Sequence, residues 1–164
     1  MKSRHVASFR RRKEGKTDYK KRLNLLASGK HRLVIRVTGK KVIAQIVEYV
    51  LEGDKTLASA TSSELKNFGW TEYTKNIPSA YLTGLLCAKR AVKKKMPTAI
   101  LDLGLHTPIK GSRVFAALAG AVDGGLEIPH EKTVLPIEAR LNGSHINEKT
   151  TSAFEKAKAK INSE

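Results

Sequence analysis

Charge is concentrated at one end of this chain, and that restricts what can fold. Residues 1–41 carry 15 Lys or Arg against two acids, Glu14 and Asp18, a local net charge of +13. Residues 42–164 carry 16 bases against 13 acids, or +3, which completes the whole-chain value of +16. Like charge at the N-terminal density resists compaction, and a polyanionic partner offsets it. The N-terminal quarter therefore reads as a binding element and the remainder as the part that builds a core. With 164 residues, 40% of them hydrophobic, the chain suffices for one modest domain and not for a large two-domain enzyme.

Several function classes are disfavoured on residue type and spacing. No apolar run approaches the roughly 18 residues of a membrane span. Residues 1–16 offer only Val6 and Phe9 as large apolar groups, too few for a membrane-surface helix, so no membrane partner is expected. The basic start runs into Phe9-Arg10-Arg11-Arg12-Lys13 without an apolar stretch, so no secretory signal is expected. Cys87, the single cysteine, permits no intrachain disulfide and reads as a buried thiol in a reducing compartment. His5, His31, His106, His130 and His145 are dispersed and form no HExxH motif, so no metal or other cofactor is expected. Residues 104–112 contain Gly, Lys and Ser, but not in the order of a phosphate loop. No nucleophile elbow is present, and no small-molecule substrate is implied. Asp102 is the best carboxylate for an enzyme hypothesis; it reads equally well as a loop cap.

Periodicity gives an α/β fold: a two-layer mixed sheet with helices mainly on one face, plus a basic N-terminal arm and helix. Residues 1–15 lack a period and read as a basic arm, disordered when free and ordered on a partner, leaving residues 16–164 as a single α/β domain. Thr17 is a candidate cap for a helix marked by Tyr19, Leu23 and Leu26 and stopped by Gly29. Strands are expected at residues 32–37, 42–50 and 56–60; their short turns make an antiparallel meander. Thr61-Ser62-Ser63-Glu64 has capping-box spacing before a short helix that ends at Gly69. Asn76 caps the clearest helix, with Pro78 in its first turn and Tyr81, Leu82, Leu85, Leu86 and Val92 as its apolar stripe. A fourth strand at 99–103 follows, placed parallel to a neighbour by the strand–helix–strand crossover. A helix with Val114, Phe115, Leu118, Ala121 and Val122 inward comes next. The tail from 126 is mostly loop, with a last helix marked by Ile146, Ala153, Ala157 and Ile161.

The partner read from charge is a nucleic acid. Candidate phosphate ligands are Arg4, Arg10, Arg11, Arg12, Lys13, Lys16, Lys20, Arg22 and Arg32, with guanidinium forks suited to phosphate. Phe9 and Tyr19 are candidates for stacking on unpaired bases, with Trp70 and Tyr73 behind them; Phe9 is favoured as a contact and Trp70 as core. Lys110, Ser112 and Arg113, at a strand-to-helix loop, form a candidate second contact surface. Charge alone does not separate RNA from DNA. A DNA-compacting protein shares the charge and size but needs a dimer, a two-stranded arm or a groove-reading helix, none of which is marked. An enzyme acting on RNA would reveal itself at Asp102 or His106.

Several blocks carry a resemblance. They are residues 9–23, Arg32-Leu33-Val34-Ile35-Arg36, and Asp54-Lys55-Thr56-Leu57-Ala58-Ser59-Ala60. Ser62-Ser63-Glu64-Leu65 with Gly69-Trp70, and the run from Asn76 to Gly84, follow in order. The most specific is Gly111-Ser112-Arg113-Val114-Phe115-Ala116-Ala117-Leu118, continuing through residues 120–126 to Ile128-Pro129-His130. Together they resemble the archaeal form of a large-subunit ribosomal protein family, number eighteen, that binds 5S rRNA. Bacterial relatives lack the insertions around Trp70 and residues 126–130, and eukaryotic ones extend well beyond the core. The resemblance implies a non-catalytic constituent of the large ribosomal subunit in the cytoplasm. It implies that the protein holds 5S rRNA to 23S rRNA in the central protuberance, beside the neighbouring 5S-rRNA-binding ribosomal protein, with the basic arm and first helix lying on 5S rRNA.

Overall fold

A computed structural model describes residues 7–163. Short helix α1 (Arg10–Lys13) and helix α2 (Tyr19–Leu26) precede strands β1 (Arg32–Val37), β2 (Val42–Glu48) and β3 (Lys55–Thr61). Helix α3 (Ile77–Lys93), strand β4 (Ile100–Asp102) and helix α4 (Arg113–Asp123) complete the core. Helices α5 (Glu138–Leu141) and α6 (Glu148–Asn162) follow. The sheet order is β3-β2-β1-β4, antiparallel through the meander and parallel where β4 joins β1. This is the mixed sheet that the crossover argument demanded.

Alternation along the strands divides the sheet into two chemically different faces. Leu33 and Ile35, Val42, Ala44 and Ile46, and Ala58 and Ala60 are buried in the main core. The opposite parity of β1 is Arg32, Val34 and Arg36. Helices α3 and α4 pack on the apolar face and against each other through small residues. A Cβ built on Gly84 would stand 1.9 Å from the Ala117 carbonyl oxygen, and one on Gly120 would stand 2.0 Å from that of Tyr81. Only glycine permits this approach at either position. Outside α3 lies α6, where Phe154 meets Tyr81 at 5.4 Å between ring centroids. The Tyr81 hydroxyl donates to Asp123 at 2.6 Å, and burial, with this bond adding to it, raises its pKa. Cys87 lies within α3, and burial pushes its thiol up to about 12.

The cap signals at 61–69 and 76 act locally, as their spacing implies. The Asn76 side chain accepts from the Ser79 amide at 2.8 Å. Glu64 accepts from the Thr61 amide and hydroxyl at 3.0 and 2.9 Å, heading a 3-10 turn (Glu64–Phe68) that ends at left-handed Gly69. Trp70 is core, 1% exposed.

Other expectations are corrected. Part of the arm is structured: Arg10–Lys13 forms one helical turn, and the Arg11 carbonyl accepts from the amides of Lys16 and Thr17. Asp18, not Thr17, caps α2, accepting from the Lys20 and Lys21 amides. A full negative charge serves the positive helix end better than a hydroxyl, and the Thr17 hydroxyl is engaged by Arg11 Nε at 2.9 Å. β2 ends at Glu48, leaving Tyr49 and Leu51 exposed in the following turn. Val92 is exposed, because Ala91 takes the buried place in the last turn of α3. Ile146 lies outside the last helix and is exposed; Thr150 and Phe154 bury instead.

β3 is an edge strand, and polar side chains occupy its outward backbone groups. Arg90 NH1 donates to the Ser59 carbonyl at 2.7 Å, Lys94 Nζ donates to that of Leu57, and Glu64 takes the Thr61 amide. Such capping blunts pairing with another strand.

Candidate nucleic-acid interface

Helix α2 buries none of its residues. It stands over the polar face of the sheet, and between them runs an open groove of about 1140 Å³. Arg11, Lys16, Lys21 and Arg22 line it from the helix side, Arg36 and Gln45 from the sheet, and His106 from the loop after β4.

A ladder of alternating charges forms the groove floor. Both terminal guanidinium nitrogens of Arg22 donate to Asp54, each at 2.8 Å. Arg32 NH2 donates to Asp54 at 2.7 Å, and its NH1 to Asp102 at 2.8 Å. Arg36 donates to the Asp102 carboxylate at 3.1 Å and to its backbone carbonyl at 2.8 Å. Three arginines thus hold two aspartates and tie α2 to β1, β4 and the residue that leads into β3. The Arg22 hydrogen bond, with Arg32 adding to it, draws Asp54 down to about 2 against the opposing effect of burial. Burial pushes Asp102 up, but Arg36, the Gly104 amide and Arg32 outweigh it, and its pKa is lowered. Asp102 accepts from the Gly104 amide at 2.8 Å, as a loop cap would. Gly104 has φ +60, a left-handed backbone that favours glycine, and a Cβ there would press on the movable end of Arg36, 2.8 Å from its Cζ.

The sequence-derived site residues fall into three groups. Arg12, Lys13 and Lys20 have no side-chain partner among the described residues, Arg10 is exposed although it pairs with Glu14 at 2.8 Å, and Arg11 is exposed and donates to the Thr17 hydroxyl at 2.9 Å. Lys16 also pairs with Glu14, at 2.8 Å. Phe9 is 68% exposed and tilts against Tyr19, with ring centroids 4.9 Å apart. Arg22 and Arg32 form the second group. Arg32 is 2% exposed, so its guanidinium presents no surface to a phosphate; it belongs to the ladder. Burial of an arginine on a sheet is invisible to a charge count; the signals available were the aspartate that opens the block 54–60 and the one in the fourth strand. The third group lies elsewhere. Lys110 and Arg113 are exposed, and the Ser112 hydroxyl oxygen is buried without a partner at the start of α4. Arg4 lies outside the described residues. Sequence reasoning missed Arg36, Gln45 and His106, which only strand parity and loop placement bring to the groove. Among the described residues no group of His, Cys, Asp or Glu is arranged to hold a metal ion.

The arrangement suits an extended polyanion: a groove with a basic rim, flanked by unpaired cations and an exposed aromatic ring. Comparison with known proteins agrees. The family model for ribosomal large subunit proteins 60S L5 and 50S L18 matches residues 3–98 and 92–131. The chain belongs to this family. Large ribosomal subunit protein uL18 of Methanothermobacter thermautotrophicus is 52% identical over 152 residues, which is 93% of this chain and 79% of the relative. Its counterpart in Methanoregula boonei is 53% identical, covering 87% of this chain and 82% of that protein. That of Caldivirga maquilingensis is also 53% identical, covering 87% and 70%. Membership makes the chain an archaeal, structural, RNA-binding protein of the large ribosomal subunit and not an enzyme. That excludes the alternative of an enzyme acting on RNA. No helix among the described residues is long and apolar enough to cross a membrane.

Proposed function

We propose that this protein binds 5S rRNA through its arm, α2 and the groove, and attaches it to 23S rRNA in the central protuberance, beside the neighbouring 5S-rRNA-binding ribosomal protein. The observation that carries this is the basic groove beneath α2, continuous with the unpartnered cations of α1 and α2. Arg4, Arg10, Arg11, Arg12, Lys13, Lys16 and Lys20 contact phosphates, and Phe9, backed by Tyr19, stacks on an unpaired base. Arg22 and Arg32 act from within the ladder, holding α2 at the right distance from the sheet. Lys110, Ser112 and Arg113 touch RNA on a separate surface.

The test is 5S rRNA binding as a function of salt. About six to ten phosphate contacts lower affinity roughly 10³–10⁵-fold between 50 and 200 mM salt. Removing residues 1–15 is expected to leave the domain folded, to flatten that slope and to weaken binding by at least about tenfold. Folded 5S rRNA is expected to outcompete duplex DNA at equal phosphate concentration. A truncated protein that binds as tightly as the full chain at moderate salt overturns the reading.

A further inference from the structure

The end of the sheet remote from Asp54 gathers three loops that are far apart in sequence. They are the β1–β2 turn at residues 38–41, the segment 71–76 before α3, and the loop 110–113 before α4. Side chains cross-tie them. Thr74 Oγ1 donates to the Lys40 carbonyl at 2.9 Å, and Lys75 Nζ to that of Gly39 at 3.2 Å. Arg113 NH1 reaches the Lys75 carbonyl at 3.5 Å. These loops carry Lys40, Lys41, Lys75, Lys110 and Arg113 against one acid, Glu72. Folding thus gathers a second cationic patch from Lys40 and Lys41 at the end of the N-terminal charge block, Lys75, and Lys110 and Arg113 of the strand-to-helix loop.

An aromatic ring stands in this patch. Tyr73 is 63% exposed. Its backbone is fixed, because the indole Nε1 of buried Trp70 donates to the Tyr73 carbonyl at 3.4 Å, and Thr74 is tied to the β1–β2 turn. The fold therefore spends a buried tryptophan and a cross-loop hydrogen bond on anchoring a residue whose ring meets no other ring among the described residues. An exposed aromatic side chain anchored by its backbone among cationic loops is the chemistry that receives an unpaired nucleobase with its flanking phosphates.

We propose that this end of the sheet is a second RNA-docking surface, on which Tyr73 stacks against an unpaired base while Lys40, Lys41 and Lys110 hold the adjoining phosphates. It rests on the reading of the chain as an RNA-binding protein and adds Tyr73, Lys40 and Lys41 to the separate surface of Lys110 and Arg113. None of these residues lines the groove, and the RNA that the patch takes is a segment other than the one in the groove. The protein bridges two RNA segments through two separately built sites.

The experiment uses the full chain with 5S rRNA and 23S rRNA, and reads affinity for each RNA, chemical footprints, and nitration of Tyr73 by peptide mass. Tyr73→Ala is expected to weaken capture of the second RNA segment by about 5- to 150-fold, the worth of one stacked base. Tyr73→Phe, which keeps the ring, is expected to stay within about twofold of the wild type. Lys40→Ala with Lys41→Ala is expected to reduce the salt slope for that segment by about 1.5–2, with groove binding unchanged. In the wild-type complex, Tyr73 is expected to be shielded from nitration. Wild-type affinity and slope in all variants, with Tyr73 still nitrated in the RNA complex, overturn the proposal. So does shielding that appears only when another ribosomal protein is added, which assigns the surface to a protein partner. Loss of binding by the arm truncation alone tests the groove and leaves this outcome separate.

Discussion

The α3–α4 pair and the arm with α2 are both helical, yet different forces hold them. In α3, twelve residues from Pro78 to Ala91 are buried, and its backbone touches that of α4 closely enough to forbid any side chain at Gly84 or Gly120. Close packing of this kind is directionless in charge, insensitive to salt, and intolerant of added volume. In α2 nothing is buried, and attachment runs through Arg22, Asp54, Arg32 and Asp102. One region is built to be permanent and the other to meet a polyanion. A helix bound by apolar contact would close the groove, whereas one held off by ion pairs leaves it open.

The comparison breaks most severely if Gly84 is filled. Gly84→Val pushes a branched side chain into the Ala117 carbonyl and is expected to cost about 4 kcal/mol or more, a fall in melting temperature of roughly 10 °C. Thermal melts decide this; a variant as stable as the wild type would show that the two helices separate freely. Next in size is Arg32→Ala, which leaves Asp102 buried and half-paired. Its expected cost is about 3 kcal/mol, read by urea denaturation. A loss below about 1 kcal/mol would place Arg32 with the surface cations after all.

Asp54→Asn sharpens the comparison at the smallest scale. Asp54 ionises at about 2 in the fold against 3.8 ordinarily. A lowered carboxylate pKa adds stability that is complete above the unfolded value and disappears as pH falls through the folded one. Because the pair is partly exposed, its worth is about 1 kcal/mol. Wild type is therefore expected to exceed Asp54→Asn by this amount near pH 7, and the gap to close between about pH 4 and pH 2. Asp102, also lowered, remains in both proteins and leaves a residual acid sensitivity. An equal gap at pH 7 and pH 2.5 would mean that Asp54 acts by packing and not by charge.

Much of the scaffold was legible because its signals are local. Asn76 and Pro78 mark the start of α3, Glu64 reaches only three residues back to Thr61, and strand alternation at 32–37 separates arginines from aliphatics within one hexapeptide. Errors arose where a local signal had a nearby competitor. Thr17 and Asp18 are both capping residues, and the choice fell to the one that Arg11 did not engage. Phe154, on α6, carries no periodic context strong enough to announce its contact with Tyr81 across more than 70 positions.

The sequence by itself determined that a basic end would meet a polyanion, that the remainder would be an α/β domain, and which family its ordered blocks resemble. Charge composition and hydrophobic period are properties of the chain, and they act before any long-range contact forms. Only the tertiary structure decided which cations remain available. Arg12 and Arg32 are alike in sequence, yet one is exposed on α1 and the other is enclosed between Asp54 and Asp102, 22 and 70 positions away. The gathering of Lys40, Tyr73 and Arg113 likewise required the sheet to bring three loops to one end. A guanidinium's partner is set by the carboxylate or phosphate that the fold places within about 3 Å of it, and distance in space is what a sequence does not contain.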